Sequence, residues 1–266
     1  MNKIENYDCY LTRMSKTFFD KAWFMSHLSE DIIFIVDYGC ADGSFMEFLK
    51  RNCPCYVYIG IDNDSKMQEL TKEKGFPCFS SLKEAHEQYG FFPEQTCLVL
   101  NSVIHEIWSY HNEANFLEDL HDIYPKYIAI RDMMFNPVDR TRFYLPEYDH
   151  YRIMNVLQSV SWNKFNDFMD AWKEQNKEIQ PAHFLLKYFY DENWEREAKE
   201  NYFPIDIKEL RNTVCNGYNI EFQSFYKLPY LVNKWKKDFD LEINQALNEY
   251  IKNINTHYKM LLRYGN

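Results

Sequence analysis

Long apolar runs are missing from this sequence. No stretch approaches the roughly 18 residues that a membrane helix needs, and the opening MNKIENYDCY lacks a signal-peptide core. A cytoplasmic protein with no membrane partner is expected. Excess positive charge is also missing: 30 Lys and Arg face 40 Asp and Glu, a formal charge of -10. That balance argues against a general grip on nucleic-acid phosphates, and no DNA partner is expected. Paired metal-type cysteines are absent too. The seven cysteines are odd in number and stand at 9, 40, 53, 55, 78, 97 and 215, a scatter that fits reduced thiols better than a disulfide framework. Cys53-Pro54-Cys55 with Cys78 has no Cys-x-x-Cys or His partner at zinc spacing, so no metal is expected. There is no internal repeat, low-complexity tract or Pro/Gly linker, and 266 residues suit a single domain over 1–266. Hydrophobic residues make up 46% of the chain and aromatics 18%, spread along its whole length as core filling.

What is present starts with IIFIVDYGCADGSF at 32–45. The β-rich apolar run 32–36 suits a strand covered on both faces, as in a parallel sheet. Asp37 follows, then a tight turn through Gly39, Ala41 and Gly43, then a helix from about Ser44. Glycine opens backbone angles closed to other residues and lets a ligand approach the main chain. The dinucleotide fingerprint would need a middle glycine where Ala41 stands.

The pattern Asp37-x-Gly39-x-Ala41-x-Gly43 resembles motif I of class I S-adenosylmethionine-dependent methyltransferases. The resemblance implies S-adenosylmethionine as cofactor and S-adenosylhomocysteine as product. It places Asp37 near the methionine end, and Asp62, at the end of a second strand over 56–61, on the ribose hydroxyls with Asn63 beside it. Ser81, after a short third strand over 76–79, would lie near the adenine amino group or cap the helix beginning at Leu82. Asn101 and Ser102, past a fourth strand over 96–100, would border the cofactor as well. The ammonium and sulfonium of this ligand favour nearby carboxylates. In many proteins of this kind the segment before strand one covers the cofactor, so Tyr10 and Arg13, in a helical lead-in over 1–30, would close over the methionine carboxylate.

LVLNSVIHEIW, at 98–108, resembles the motif IV region of small-molecule and RNA methyltransferases, and lacks the Asn/Asp-Pro-Pro-Tyr/Phe motif of enzymes acting on exocyclic amines. Ligands of such sheets sit at the carboxyl ends of the strands where the order reverses. His105 has an ordinary pKa of about 6.5, suited to accepting a proton from a hydroxyl or amine. Alternatively it caps or packs the helix starting there. Glu106 has similar standing as a substrate ligand. Arg131 and Asp132, at the end of a fifth strand over 127–131, must pair or meet substrate, because buried unpaired charge is costly.

Residues 135–203 form an expected helical insertion, helical over 151–174 and 183–202, which would shape the substrate pocket. Arg140, Arg142, His183, Lys187, Tyr188, Trp194 and Arg196 make its mixed aromatic and cationic lining. After a helix over 204–214, strands over 218–226 and 256–263 flank a connection rich in Lys234, Lys236 and Lys237. The family resemblance implies an α/β, three-layer Rossmann-like methyltransferase fold. Its seven-stranded, mostly parallel sheet has the order 3-2-1-4-5-7-6, with strand 7 antiparallel. The expected activity is methyl transfer to an O or N nucleophile, with a small-molecule acceptor favoured. An RNA or nucleotide acceptor, or a non-catalytic S-adenosylmethionine-binding module, is the alternative.

Overall fold

The structure, a computed structural model, describes residues 17–265. Tyr10 and Arg13 lie outside the described residues. Within them the chain divides into two compact units, one made of 17–132, 204–224 and 259–265 and the other of 133–203 and 225–258.

The strands are β1 (Phe34–Tyr38), β2 (Val57–Ile61), β3 (Cys78–Phe79), β4 (Thr96–Asn101), β5 (Tyr127–Pro137), β6 (Tyr218–Tyr226) and β7 (Ile254–Tyr264). They form one sheet in the order β3-β2-β1-β4-β5-β7-β6. The pairs β1–β2, β1–β4, β2–β3 and β4–β5 are parallel, and β7 runs antiparallel. This is the expected Rossmann-like methyltransferase topology. Every residue of β4 is buried, which is why its sequence reads as a continuous apolar run instead of alternating. Strand β1 begins two residues later than the apolar run suggests, so Asp37 lies inside it, in register with Gly60 of β2 and Val99 of β4. Because β2 and β4 flank β1 and carry the chain to opposite sides, a crevice is left at their carboxyl ends. Phe24, Ile35, Met46, Leu49, Cys97 and Val99 pack the core of this unit.

The second unit has its own core around Leu157, Phe168, Phe184, Trp235 and Leu247. The helix expected over 151–174 is two helices, Glu147–Val160 and Trp162–Trp172, broken where Ser161 takes an extended backbone. The helix expected over 183–202 is likewise two, Gln180–Leu185 and Trp194–Lys199. Between β6 and β7, the lysine-rich connection holds the helices Pro229–Asp238 and Gln245–Asn253 and belongs to this unit.

His183 and Lys187 do not line a pocket: both are fully buried in this second core. The Lys187 ammonium donates to the main-chain oxygens of Glu197, at 2.5 Å, and Glu200. It lies 5.2 Å from the ring centre of Trp172 and 4.6 Å from that of Tyr202. It thereby caps carbonyls that the short helix Trp194–Lys199 leaves unsatisfied. Burial pulls its pKa down to about 7, against the nearby Glu200 and Glu197 carboxylates. Burial also holds His183 well below its ordinary range, and its Nδ1 lies 3.0 Å from Gln175 Oε1. Of the other expected lining residues, Arg140 donates to Asn136 at 2.7 Å, the exposed Arg142 lies 3.6 Å from Asp139, and Arg196 donates to Glu200 at 3.0 Å. No helix among the described residues is long and apolar enough to cross a membrane.

Candidate functional site

The turn after β1 is built from left-handed residues: Gly39 at φ 75°, Ala41 at 49° and Gly43 at 76°. The amides of Gly39 and Cys40 donate to Ile61 O at 2.8 and 3.0 Å, tying the turn to the end of β2. Asp62 continues that tie, its Oδ2 accepting the Ala41 N–H at 2.9 Å and its Oδ1 the Asp64 N–H at 3.0 Å. A carboxylate oxygen has two lone pairs, so capacity for ligand hydroxyls remains. Burial raises the Asp62 pKa in spite of those two amides. The two glycines also serve packing more than the sequence suggested. A Cβ on Gly39 would stand 2.8 Å from Val103 Cγ2, and one on Gly43 3.1 Å from Thr71 Oγ1.

Charged groups are concentrated beside the turn. Asp37 is 3% exposed, and burial pushes its carboxyl up to about 7; Lys21 opposes that rise and Asp62 adds to it. Lys21 is itself buried in a short helical turn, Phe18–Lys21, and is lowered to about 8, first by burial and then by Arg131, while Asp37, Asp132 and Asp20 hold it up. Lys21 stands out little in the sequence. The available signal was a lysine enclosed by aromatics in FFDKAW. Those aromatics anchor the turn: Phe18 lies 5.5 Å from Phe45 and from Phe48, and Phe19 5.0 Å from Phe48. Phe45 and Phe48 sit on the helix Ser44–Asn52 that follows the glycine turn. Asp20 completes the attachment, accepting from Arg131 Nε at 3.0 Å and from Lys259 Nζ at 2.5 Å.

At the end of β4 the side chain of Asn101 is 7% exposed, and neither its oxygen nor its nitrogen has a hydrogen-bond partner among the described residues. Ser102 follows at φ 60°, its N–H donating to Arg131 O at 2.7 Å and its hydroxyl accepting from Arg131 Nη1 at 2.9 Å. Arg131, expected at the chemistry, is thus engaged in fixing Ser102 and Asp20. His105 Nδ1 lies 2.8 Å from Asp132 Oδ1, and its backbone N–H donates to Asp132 Oδ2 at 3.1 Å. Both residues are buried, so Asp132 holds the ring and the start of the helix Ile104–Ser109 together. Glu106 is half-buried on that helix and Asn63 is exposed beside Asp62. Ser81 takes the capping option, its hydroxyl accepting the Glu84 N–H at 3.1 Å.

The fold thus brings Asp37, Gly39, Ala41, Gly43, Asp62, Asn101 and Ser102 to the carboxyl ends of β1, β2 and β4. Chemically they offer a buried carboxyl for a cation, a second acid for hydroxyls, and an amide lacking both a donor and an acceptor.

No protein-family model matches the sequence, and no curated protein matches it. Solved structures do. The plantazolicin methyltransferase BamL, in complex with a triazolic desmethylPZN analog and SAH, aligns with a TM-score of 0.50 at 12% identity, covering 95% of this chain and 84% of its own. PKMT2 from Rickettsia typhi aligns with a TM-score of 0.50 at 14% identity over 89% of this chain, which spans only 49% of that one. At such identities the likeness is one of fold.

Proposed function

We propose that this chain is an S-adenosylmethionine-dependent methyltransferase acting on an oxygen or nitrogen of a small molecule. One observation carries the reading: the buried Asn101 amide, without a hydrogen-bond partner among the described residues, stands at the strand ends that also hold the buried Asp37. Leaving a buried amide unpaired costs about 1–3 kcal/mol, and such a group is explained when a ligand completes it. Bound there, the cofactor supplies an already electrophilic methyl group.

The chain's own residues hold and align. Asp37 faces the cofactor's ammonium, and Asp62 keeps its remaining lone pairs for the ribose. Lys21, whose burial near Asp37 matches no apolar role, takes the methionine carboxylate. His105 receives the acceptor's proton: with Nδ1–H donated to Asp132, the basic lone pair is on Nε2. Asp132→Asn reverses that preference, because an amide N–H can donate to Nδ1 and leave the proton on Nε2. Turnover in this variant is expected to fall at least about 10²-fold, with S-adenosylhomocysteine affinity unchanged.

A small acceptor is favoured by the acidic balance, and BamL, aligned over 84% of its length, is in complex with a triazolic desmethylPZN analog and SAH. An RNA acceptor finds less support, since Lys234 is paired with Asp238 at 2.8 Å. The test is incubation with methyl-labelled cofactor and fractionated small-molecule extract. Label should enter a small product with stoichiometric S-adenosylhomocysteine, and Asp37→Asn should abolish it. Cofactor binding with no release of S-adenosylhomocysteine in any fraction would make the chain a binding module instead.

A further inference from the structure

Cys40 lies inside the glycine turn, between Gly39 and Ala41, and Cys78 opens β3. Their sulfurs are 3.6 Å apart and both side chains are buried. They meet across Gly60 of β2, where an added Cβ would stand 2.7 Å from Cys40 Sγ and 3.2 Å from Cys78 Sγ. Glycine at that position leaves the space in which the two thiols touch. The methyl-transfer reading gives neither thiol any work.

We propose that Cys40 and Cys78 form a reversible disulfide that switches off ligand binding at the glycine turn. The consequence for binding rests on the methyltransferase reading; the bond itself does not. A disulfide needs its sulfurs about 2.05 Å apart, so closure must draw the pair together by about 1.5 Å. The turn has little slack to absorb that movement. Gly39 and Cys40 are hydrogen-bonded to Ile61 O, and Ala41 to Asp62. Displacing Cys40 therefore moves the Ala41 amide off Asp62 and disturbs the acid that would hold the ribose.

Access for an oxidant comes through β3. It is two residues long, sits at the sheet edge and pairs only with β2 in the strand order, so it belongs to the weakly held parts of the fold that open locally. The thiols also differ in character. The contact between the two sulfurs lowers the pKa of Cys78, whereas that same contact and burial raise Cys40. Cys78, on the edge strand that opens, is the thiol that meets the oxidant and attacks. With hydrogen peroxide, its sulfur takes one oxygen and the other leaves as water, giving a sulfenic acid. The Cys40 thiol then displaces that oxygen as a second water and forms the S–S bond. Two thiols are oxidised and one peroxide is reduced to two waters.

The test treats the ligand-free protein with hydrogen peroxide, maps peptides by mass, and titrates reduced and oxidised samples with S-adenosylhomocysteine. A 40–78 crosslinked peptide, two hydrogens lighter than the sum of the reduced peptides, is expected, with affinity about 10-fold or more weaker and restored by dithiothreitol. Cys78→Ser should bind as the reduced protein does and ignore the oxidant; Cys78→Ala serves if serine disturbs folding. No 40–78 crosslink, or a crosslink with unchanged affinity, overturns the proposal. Crosslinking within Cys53-Pro54-Cys55 alone does so too. Reduced protein that takes up no S-adenosylhomocysteine but still forms the crosslink faults the methyltransferase reading and refutes the control of binding, leaving only the bond.

Discussion

Asp37 concentrates the tension between stability and function. Its carboxyl is raised from 3.8 to about 7 in the folded chain. Well below pH 4 the folded and unfolded states are both protonated and nothing is lost. As pH rises from 4 through 7 the unfolded chain releases its proton more readily, so stability falls across that window. Asp37→Asn should therefore melt no lower than the parent at pH 8, and higher if Lys21 tolerates the amide, while S-adenosylhomocysteine affinity drops about 10²-fold. Thermal melts at pH 5 and 8 beside a titration check both halves. Asp37 was legible because an acid closing an apolar run is conspicuous. Lys21 was not, because a lysine within helical spacing reads as a solvated face until tertiary burial is seen. Asn101 was legible by position, but its unpaired state is a property of its surroundings.

At the scale of elements, the strands were largely readable and the helices of the second unit were not. Strands β1 and β4 are buried on both faces, so their apolar runs carry the assignment unaided. Strand β6 matches its expected span, while β3 shrank to two residues because an edge strand gains less from pairing. The lysine-rich stretch 229–253 concealed two helices because Lys234, Lys236 and Lys237 mask the buried Leu231, Trp235 and Leu247. Ser81→Ala removes the cap of the helix Leu82–Tyr89 and should cost about 1 kcal/mol in denaturant unfolding, with cofactor affinity unchanged; a marked loss of affinity would restore Ser81 to the adenine site. Gly39→Ala meets both a left-handed φ and Val103, and should destabilise by about 1–3 kcal/mol while weakening ligand binding.

Across the whole molecule, the sheet order was legible through the family resemblance carried by the glycine turn and the strands after it, whereas the division into two units was not. The second unit draws on 133–203 and 225–258, segments distant in sequence whose shared core only tertiary packing reveals. Lys187 illustrates how that unit is held: Lys187→Ala should cost about 3 kcal/mol, because two helix-end carbonyls lose a charged donor. Chemical denaturation followed by tryptophan fluorescence would register the loss, and an unchanged midpoint would contradict the capping role. An uncharged small acceptor, held without phosphate contacts, also predicts that acceptor affinity responds weakly to salt. A steep loss between low and high ionic strength would point to phosphate contacts and an RNA acceptor. The central claim meets its most direct test in a calorimetric titration with S-adenosylhomocysteine at pH 6, 7 and 8. The prediction is one site per chain, affinity rising from pH 6 to 7 as the ligand's ammonium claims the Asp37 carboxylate and no further by pH 8 as Lys21 loses its proton, proton release below pH 7, and loss in both Asp37→Asn and Asn101→Ala. No uptake of the nucleoside, or uptake indifferent to pH and to both substitutions, would contradict it.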